Sequence, residues 1–454
     1  MMKDLTNGSI IKHIFALSVP TMVGFTLQMI YDLVDIFWIG MISSEALAGV
    51  TIFGSIFWLI GSLNDIIGQS SISVITQNYG RKDMRATQIA IEQTITFKVI
   101  MALLAGVLMA MFLNPLIAFF TKDSAVSKAA FDYGYIRLYF LPIMFASYSV
   151  NTILRCMGDA KTPMYLMFFS SMVNVFLDPI FMFETVPFTS IPGLGMGAFG
   201  AALATVISQS IAFSIGFAYL FSKRNPVRPT VRGLFRLHWE TDKKLLTIGL
   251  PTGLETVSRN LSQIIVMKFV STFGTSVIAA TGVAGRILGI AFTPLMGVSM
   301  GASTIVGQNL GAEKVDRALD TTRWAARIVT IIIGFFVLVC WLFGDRMMQI
   351  FVTDREIIQA GVLYMTYGML GMVALAYAFG LSSGFGGAGY NYPYVVSSAV
   401  SRWAVMIPFL FLTVSVLKLG FIWVTLAYVA ADVAEAAILW RYYARGIWKT
   451  KRVA

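Results

Sequence analysis

Charge is scarce in this sequence. Asp, Glu, Lys and Arg make up 13% of its 454 residues, against about 25% in a soluble globular domain, too little for a surface that faces water all round. Histidine and cysteine are nearly missing. His13 and His238 both fall near the ends of apolar runs, and no metal-ligand or nucleophile motif occurs, which argues against an enzyme and against a metal centre other than a bound sodium ion. Cys156 and Cys340 fall near opposite membrane faces in the topology below, out of reach of a disulfide, and read as packing residues. The polar–apolar alternation of a lipid-facing barrel is absent as well. No cleavable signal peptide is evident, because residues 1–13 are short and polar and the first apolar run already has full spanning length.

Apolar side chains are abundant. Hydrophobic residues account for 57% of the chain, and the mean hydropathy is +0.76. Runs of membrane-spanning length recur from Ile14 to Trp440, each able to cross about 30 Å of hydrocarbon as a helix. They predict an all-α integral membrane protein with twelve spans near 14–38, 46–76, 91–112, 133–156, 164–184, 196–221, 246–272, 277–306, 321–343, 358–384, 394–416 and 419–441.

The formal charge of +11 sits in short loops between these runs, so it signals orientation rather than nucleic acid binding. Lys3 and Lys12 precede span one; Arg81, Lys82 and Arg85 follow span two; Arg155 and Lys161 follow span four. The richest loop carries Lys223, Arg224, Arg228, Arg232, Arg236, Lys243 and Lys244, and the tail carries Arg441, Arg445, Lys449, Lys451 and Arg452. The alternate loops Met41–Leu47 and Glu184–Gly195 are nearly free of Lys and Arg. Both termini are therefore expected in the cytoplasm of a multi-pass plasma-membrane protein.

The chain also repeats itself. Gln77-Asn78-Tyr79-Gly80 returns as Gln308-Asn309-Leu310-Gly311, 231 residues later, and Pro20 with Pro251 and Asp123 with Asp354 keep that spacing. Pro163 and Pro393 keep one of 230. Six spans per repeat bring both halves in from the same side, so a lobe over 1–222 and a lobe over 245–454 are expected, joined by a basic linker over 223–244. Two such bundles enclose a central cleft, and rocking between them gives alternating access.

Ionisable groups at membrane depth cost at least about 2.5 to 3.5 kcal/mol each and mark candidate functional sites. Asp32 and Asp35 lie three residues apart in span one and share a face that is expected to point into the first lobe. Asp178 in span five, with Asn174 one turn earlier, completes a group of oxygens there, and Thr205 adds a hydroxyl if span six is adjacent. Oxygen-only ligands suit a hard cation, and neighbouring carboxylates equally suit a shared proton. The bland alternative pairs these acids with Lys98 or Arg137. Tyr31 and Tyr135 are candidate polar-tipped neighbours. In the second half Glu255 is the leading acid, either facing a cationic substrate or pairing with Arg259 at i, i+4. Asp65 is a candidate cleft residue, whereas Asp432 and Glu435, on one face of span twelve, read as structural. The repeat does not reproduce the first acid pair: Val266 stands opposite Asp35 and Pro408 opposite Asp178.

Several marks together resemble the multidrug and toxin extrusion (MATE) family in its prokaryotic branch. They are Pro20 with Asp35-Ile36-Phe37-Trp38-Ile39-Gly40, Asn174-Val175-Phe176-Leu177-Asp178-Pro179, the two Gln-Asn motifs, Gly158-Asp159-Ala160-Lys161-Thr162-Pro163, Gly249-Leu250-Pro251 followed by Glu255, and Arg402-Trp403 with Pro408. The resemblance implies a V-shaped pair of six-helix lobes and a monomeric transporter exporting amphipathic, often cationic compounds against sodium or proton entry, with no organic cofactor. It also implies an ion site at Asp35, Asn174, Asp178 and Thr205; Asp32 departs from it, standing where an Asn is expected. The competing reading is a flippase for lipids or lipid-linked oligosaccharides, which favours a cationic cavity over this largely acidic interior.

Overall fold

The computed structural model describes residues 4–223 and 225–453, residue 59 by its backbone alone. Lys3 and Arg224, counted above among the basic loop residues, lie outside the described residues. Regular structure among the described residues is helical: α1 (Ile10–Ile42), α2 (Ser44–Gly80), α3 (Met84–Phe120), α4 (Ser124–Tyr139), α5 (Leu141–Cys156), α6 (Lys161–Met182), α7 (Gly197–Phe221), α8 (Val231–Leu234), α9 (Trp239–Ser271), α10 (Thr275–Gly311), α11 (Val315–Gln349), α12 (Arg355–Gly368), α13 (Leu370–Ala388), α14 (Tyr392–Val416), α15 (Ile422–Arg445) and α16 (Ile447–Thr450).

Nine of these are long and apolar enough to cross a membrane, and a tenth, α2, passes once its 40° bend between Trp58 and Ile60 is allowed for. The more charged α9 and the α4–α5 pair complete the twelve predicted spans. Two spans are broken where continuous helices were expected. The fourth breaks at Phe140, two residues before Pro142, which has no amide hydrogen to extend the preceding helix. The tenth breaks at Met369, where α12 gives way to α13. Large apolar side chains stay on the outside: on α11, Ile331, Phe335, Leu338 and Leu342 are all exposed at helical spacing. Such a stripe is the face a helix turns to lipid.

The repeat marks acquire physical meaning here. Asp123 and Asp354 both cap helices, accepting the amides of Ala125 and Val126 at the start of α4 and those of Glu356 and Ile357 at the start of α12. Pro20 and Pro251 lie inside the first long helix of each half. Gln308 Oε1 accepts the backbone N–H of Leu5 at 3.2 Å, and Gln77 Oε1 accepts that of Val453 at 2.9 Å, so each repeat glutamine holds one end of the chain. The paired glycines explain themselves in the same way, because a Cβ on Gly80 would strike the backbone of Gln308 and one on Gly311 the backbone of Gln77.

The chain forms two compact units: Val23–Ile75 with Asp83–Leu246, and Asp4–Met22 with Thr76–Lys82 and Thr247–Ala454. The basic segment 223–244 thus falls inside the first unit, because its backbone is hydrogen-bonded to side chains of α3. The core of the first unit gathers around Phe53, Tyr133, Leu141 and Phe145, with Ala102, Ala105, Ala130, Ala201 and Ala202 allowing helices to approach closely.

Candidate functional site

In the first unit, α1 and α6 bring two carboxylates into the interior. Asp35 is 6% exposed, and Asp178 and Asn174 are fully buried. Asn174, one turn before Asp178, donates its Nδ2 to Asp178 Oδ1 at 2.8 Å. From α4, the Tyr133 hydroxyl donates to Asp35 Oδ2 at 3.0 Å and accepts from Arg137 Nη1 at 2.8 Å. The Arg137 guanidinium stands 4.7 Å from the Phe57 ring centroid. Its charge therefore reaches Asp35 through a hydroxyl, and no ion pair among the described residues involves Asp35 or Asp178.

Three acceptor atoms are left over. Asp35 Oδ1, Asn174 Oδ1 and Asp178 Oδ2 are buried and have no hydrogen-bond partner among the described residues. A buried acceptor without a donor costs about 1–3 kcal/mol, more when charged, and a hard cation or a proton removes that cost. No group of three His, Cys, Asp or Glu able to hold a metal occurs among the described residues. The oxygens here come instead from two carboxylates and an amide, a set that fits sodium better than a transition metal.

The other expected members are arranged differently. The Thr205 hydroxyl donates to the Ala201 carbonyl at 3.0 Å and accepts from Tyr31 at 2.9 Å, so it is adjacent but already engaged. Tyr31 is buried, and it borders a polar cavity of about 40 Å³ shared with Gln28, Tyr148, Asn151 and Gln209. Asp32 is exposed and accepts from Gln28 Nε2 at 3.1 Å. Three residues turn a helix through 300°, which leaves Asp32 about 60° from Asp35, at the rim of the group. Tyr135 needs correction: it is 49% exposed and stacks on Phe131 at 5.7 Å. Tyr133, two residues earlier and on the other side of α4, is the one that meets Asp35. Asp65 is partly buried and accepts from Asn64 at 3.4 Å; the buried Lys98 donates to Asn64 Oδ1 at 2.9 Å and is in no ion pair with Asp35 or Asp178 among the described residues.

The second unit holds a charge cluster of another kind. Arg259 bridges Glu255 and Glu435, each at 2.7 Å. Arg402 reaches Asp432 at 3.3 Å and Glu435 at 3.5 Å. It stands in Val400–Met406, one of two π-helical stretches that flank Pro408 in α14, where the wider turn alters side-chain phase. Arg259, Arg402 and Asp432 line a cavity of about 230 Å³ with Tyr364, Tyr428 and Gln263. Asp432 and Glu435, first read as structural on α15, thus join Glu255 in one network. The i, i+4 spacing of Glu255 and Arg259 gave a partial signal. The contact from α9 to α15 spans 176 residues and left none.

Known proteins match this chain across both repeats. The model of the MatE family matches residues 20–180 and 251–412. The probable multidrug resistance protein YoeA of Bacillus subtilis (strain 168) is 27% identical over 443 residues, covering 96% of this chain and 93% of that protein. The probable multidrug resistance protein YpnP of the same strain is 24% identical over 412 residues, covering 89% of each. Among solved structures, the outward-facing conformation of a multidrug resistance MATE family transporter of the MOP superfamily superposes with a TM-score of 0.90 at 24% identity, covering 98% of this chain and 97% of that one.

Proposed function

The chain belongs to the MatE family, and from that membership we propose that it is a cation-coupled secondary transporter exporting amphipathic, cationic organic compounds by alternating access. The observation that carries this reading is the set of three buried, unpartnered oxygens on Asp35, Asn174 and Asp178. A group of that kind is stabilised by an entering sodium ion or proton and destabilised when the ion leaves, which is what coupling to an ion gradient requires. One charge crossing 100 mV releases about 2.3 kcal/mol, enough to drive a neutral substrate uphill about fifty-fold; a singly charged cation carries that charge back out, so its export draws on the concentration gradient of the coupling ion or on a second ion. Oxygen ligands suit sodium, and the two neighbouring carboxylates suit a shared proton. The protein is read as a monomer in the bacterial plasma membrane; the distribution of Lys and Arg among its loops supports placing both termini in the cytoplasm.

The test is efflux of a fluorescent lipophilic cation from proteoliposomes under an imposed sodium gradient and, separately, a proton gradient. Acceleration by one of them is expected and names the coupling ion. No response to either from folded protein sinks the antiport reading in favour of the lipid flippase.

A further inference from the structure

Between α7 and the second turn of α9 the chain makes a strap, residues 228–244, tied to the N-terminal part of α3. Glu92 Oε1 accepts the Thr230 N–H at 2.6 Å and the Thr230 hydroxyl at 2.8 Å. Thr96 donates to the Leu234 carbonyl at 2.6 Å. Gln93 donates to the Arg236 carbonyl at 2.6 Å, and its Oε1 accepts the His238 N–H at 3.1 Å. These bonds engage the strap through its backbone and the Thr230 hydroxyl, leaving the arginine side chains uncommitted. Arg228, Arg232 and Arg236 are exposed, as is Arg85 from α3, and none of the four is in an ion pair among the described residues.

Arg85, Arg232, Arg236 and His238 line a cavity of about 680 Å³. Its acid is Glu92, whose Oε1 is already occupied by Thr230 and by Gln88 at 2.9 Å. The strap carries Arg228, Arg232, Arg236, Lys243 and Lys244 against only Glu240 and Asp242, and Asp242 is buried. Interleaved with the arginines are Val231, Phe235, Leu237 and Trp239, all exposed, Phe235 by 86%. Water alone is a poor solvent for such a run, which continues at its far end into α9. Cationic groups beside exposed aromatic and aliphatic side chains, where the chain leaves the bilayer, match the boundary between phosphate headgroups and acyl chains.

We propose that this strap is a binding site for an anionic phospholipid. The guanidinium groups of Arg85, Arg232 and Arg236 take the headgroup phosphate, and Phe235, Leu237 and Trp239 enter the acyl-chain boundary. The apolar side chains distinguish a lipid from free phosphate, which has no use for them.

The experiment uses purified full-length protein in detergent with labelled phosphatidylglycerol, and phosphatidylcholine and inorganic phosphate as competitors. Phosphatidylglycerol is expected to bind in preference to phosphatidylcholine, with the preference falling as ionic strength rises. The triple variant R85Q/R232Q/R236Q is expected to weaken retention by about a hundred-fold, since each basic residue at an anionic surface contributes roughly five-fold. F235S/W239S is expected to weaken lipid retention with the arginines intact. Equal retention by wild type and the triple variant overturns the proposal. So does displacement by inorganic phosphate with F235S/W239S unaffected, which marks a free-phosphate site. Should the triple variant fail to fold, a wild-type preference unchanged by salt overturns it equally well. Binding in detergent does not depend on transport or on sidedness, so this result stands apart from the coupling assay.

Discussion

In the first compact unit the carboxylates of Asp35 and Asp178 keep acceptor oxygens without donors, whereas in the second the carboxylates of Glu255, Asp432 and Glu435 are spent on Arg259 and Arg402. The backbone repeat does not carry the charge with it. Val266, opposite Asp35 in the repeat, is fully buried in an apolar cluster with Met406 and Leu410, the residues flanking Pro408, which stands opposite Asp178. The place of the acid pair is thus filled with hydrocarbon, and the acids of the second unit come from different turns. A group with unmet acceptors gains free energy when a cation arrives. A network of three acids and two arginines has each carboxylate already paired with a guanidinium group, and gains more from staying closed. The two units are therefore expected to respond in opposite senses to loss of a single charge.

The largest effect is expected at the first group. Asp35→Asn or Asp178→Asn replaces an acceptor oxygen with an amide and removes the charge that favours a cation. Ion-driven export should be lost, with membrane insertion and thermal stability retained or improved, because a destabilising buried charge has gone. Efflux from proteoliposomes under the coupling gradient reads the first quantity, and unfolding in detergent the second. Full export by both variants would remove the ion site from this pair of helices.

The second group should behave the other way. Arg402→Met takes away the ion-pair partner of Asp432 and leaves Glu435 with Arg259, which Glu255 also shares, and removing one partner of a buried ion pair costs about 3–5 kcal/mol. A marked fall in unfolding temperature is expected, with partial recovery when Asp432→Leu is added. An unchanged unfolding temperature would show the network to be loose enough to be solvated, and would erase the contrast between the units.

Much of this arrangement was legible in the chain itself, and the limits have physical causes. Span number and the repeat follow from hydrophobic length and from turn and cap residues, which are local: Asp123 and Asp354 recur because each caps a helix, and Gly80 and Gly311 because each lies against the other motif's backbone. The acid pair on α1 and α6 was legible because buried charge is rare. Helical phase was harder. Tyr135 was expected near the acids and Tyr133 took the place, because two residues turn a helix through about 200° and the two rings leave α4 on opposite sides. The network of Arg259, Arg402 and Glu435 was hidden for another reason. Its members come from α9, α14 and α15, and the π-helical turns around Pro408 set the phase of Arg402 in a way that no 3.6-residue pattern anticipates.

The smallest expected effect, and the sharpest for the comparison, concerns Asp32. It belongs to the first group by sequence but stands at its rim, exposed and hydrogen-bonded to Gln28. If it is a ligand, Asp32→Asn abolishes coupling as Asp35→Asn does. If it acts through its field alone, the maximal rate survives and only the ion concentration for half-maximal export rises, by about ten-fold for the 1–2 kcal/mol that one partly screened charge contributes at short range. The rim position favours the second outcome, and Asp32→Glu should then restore the affinity, because a field needs the charge and not its exact reach. Loss of maximal rate in Asp32→Asn, unrescued by Glu, would instead move Asp32 into the coordinating group and make the first unit a three-carboxylate site.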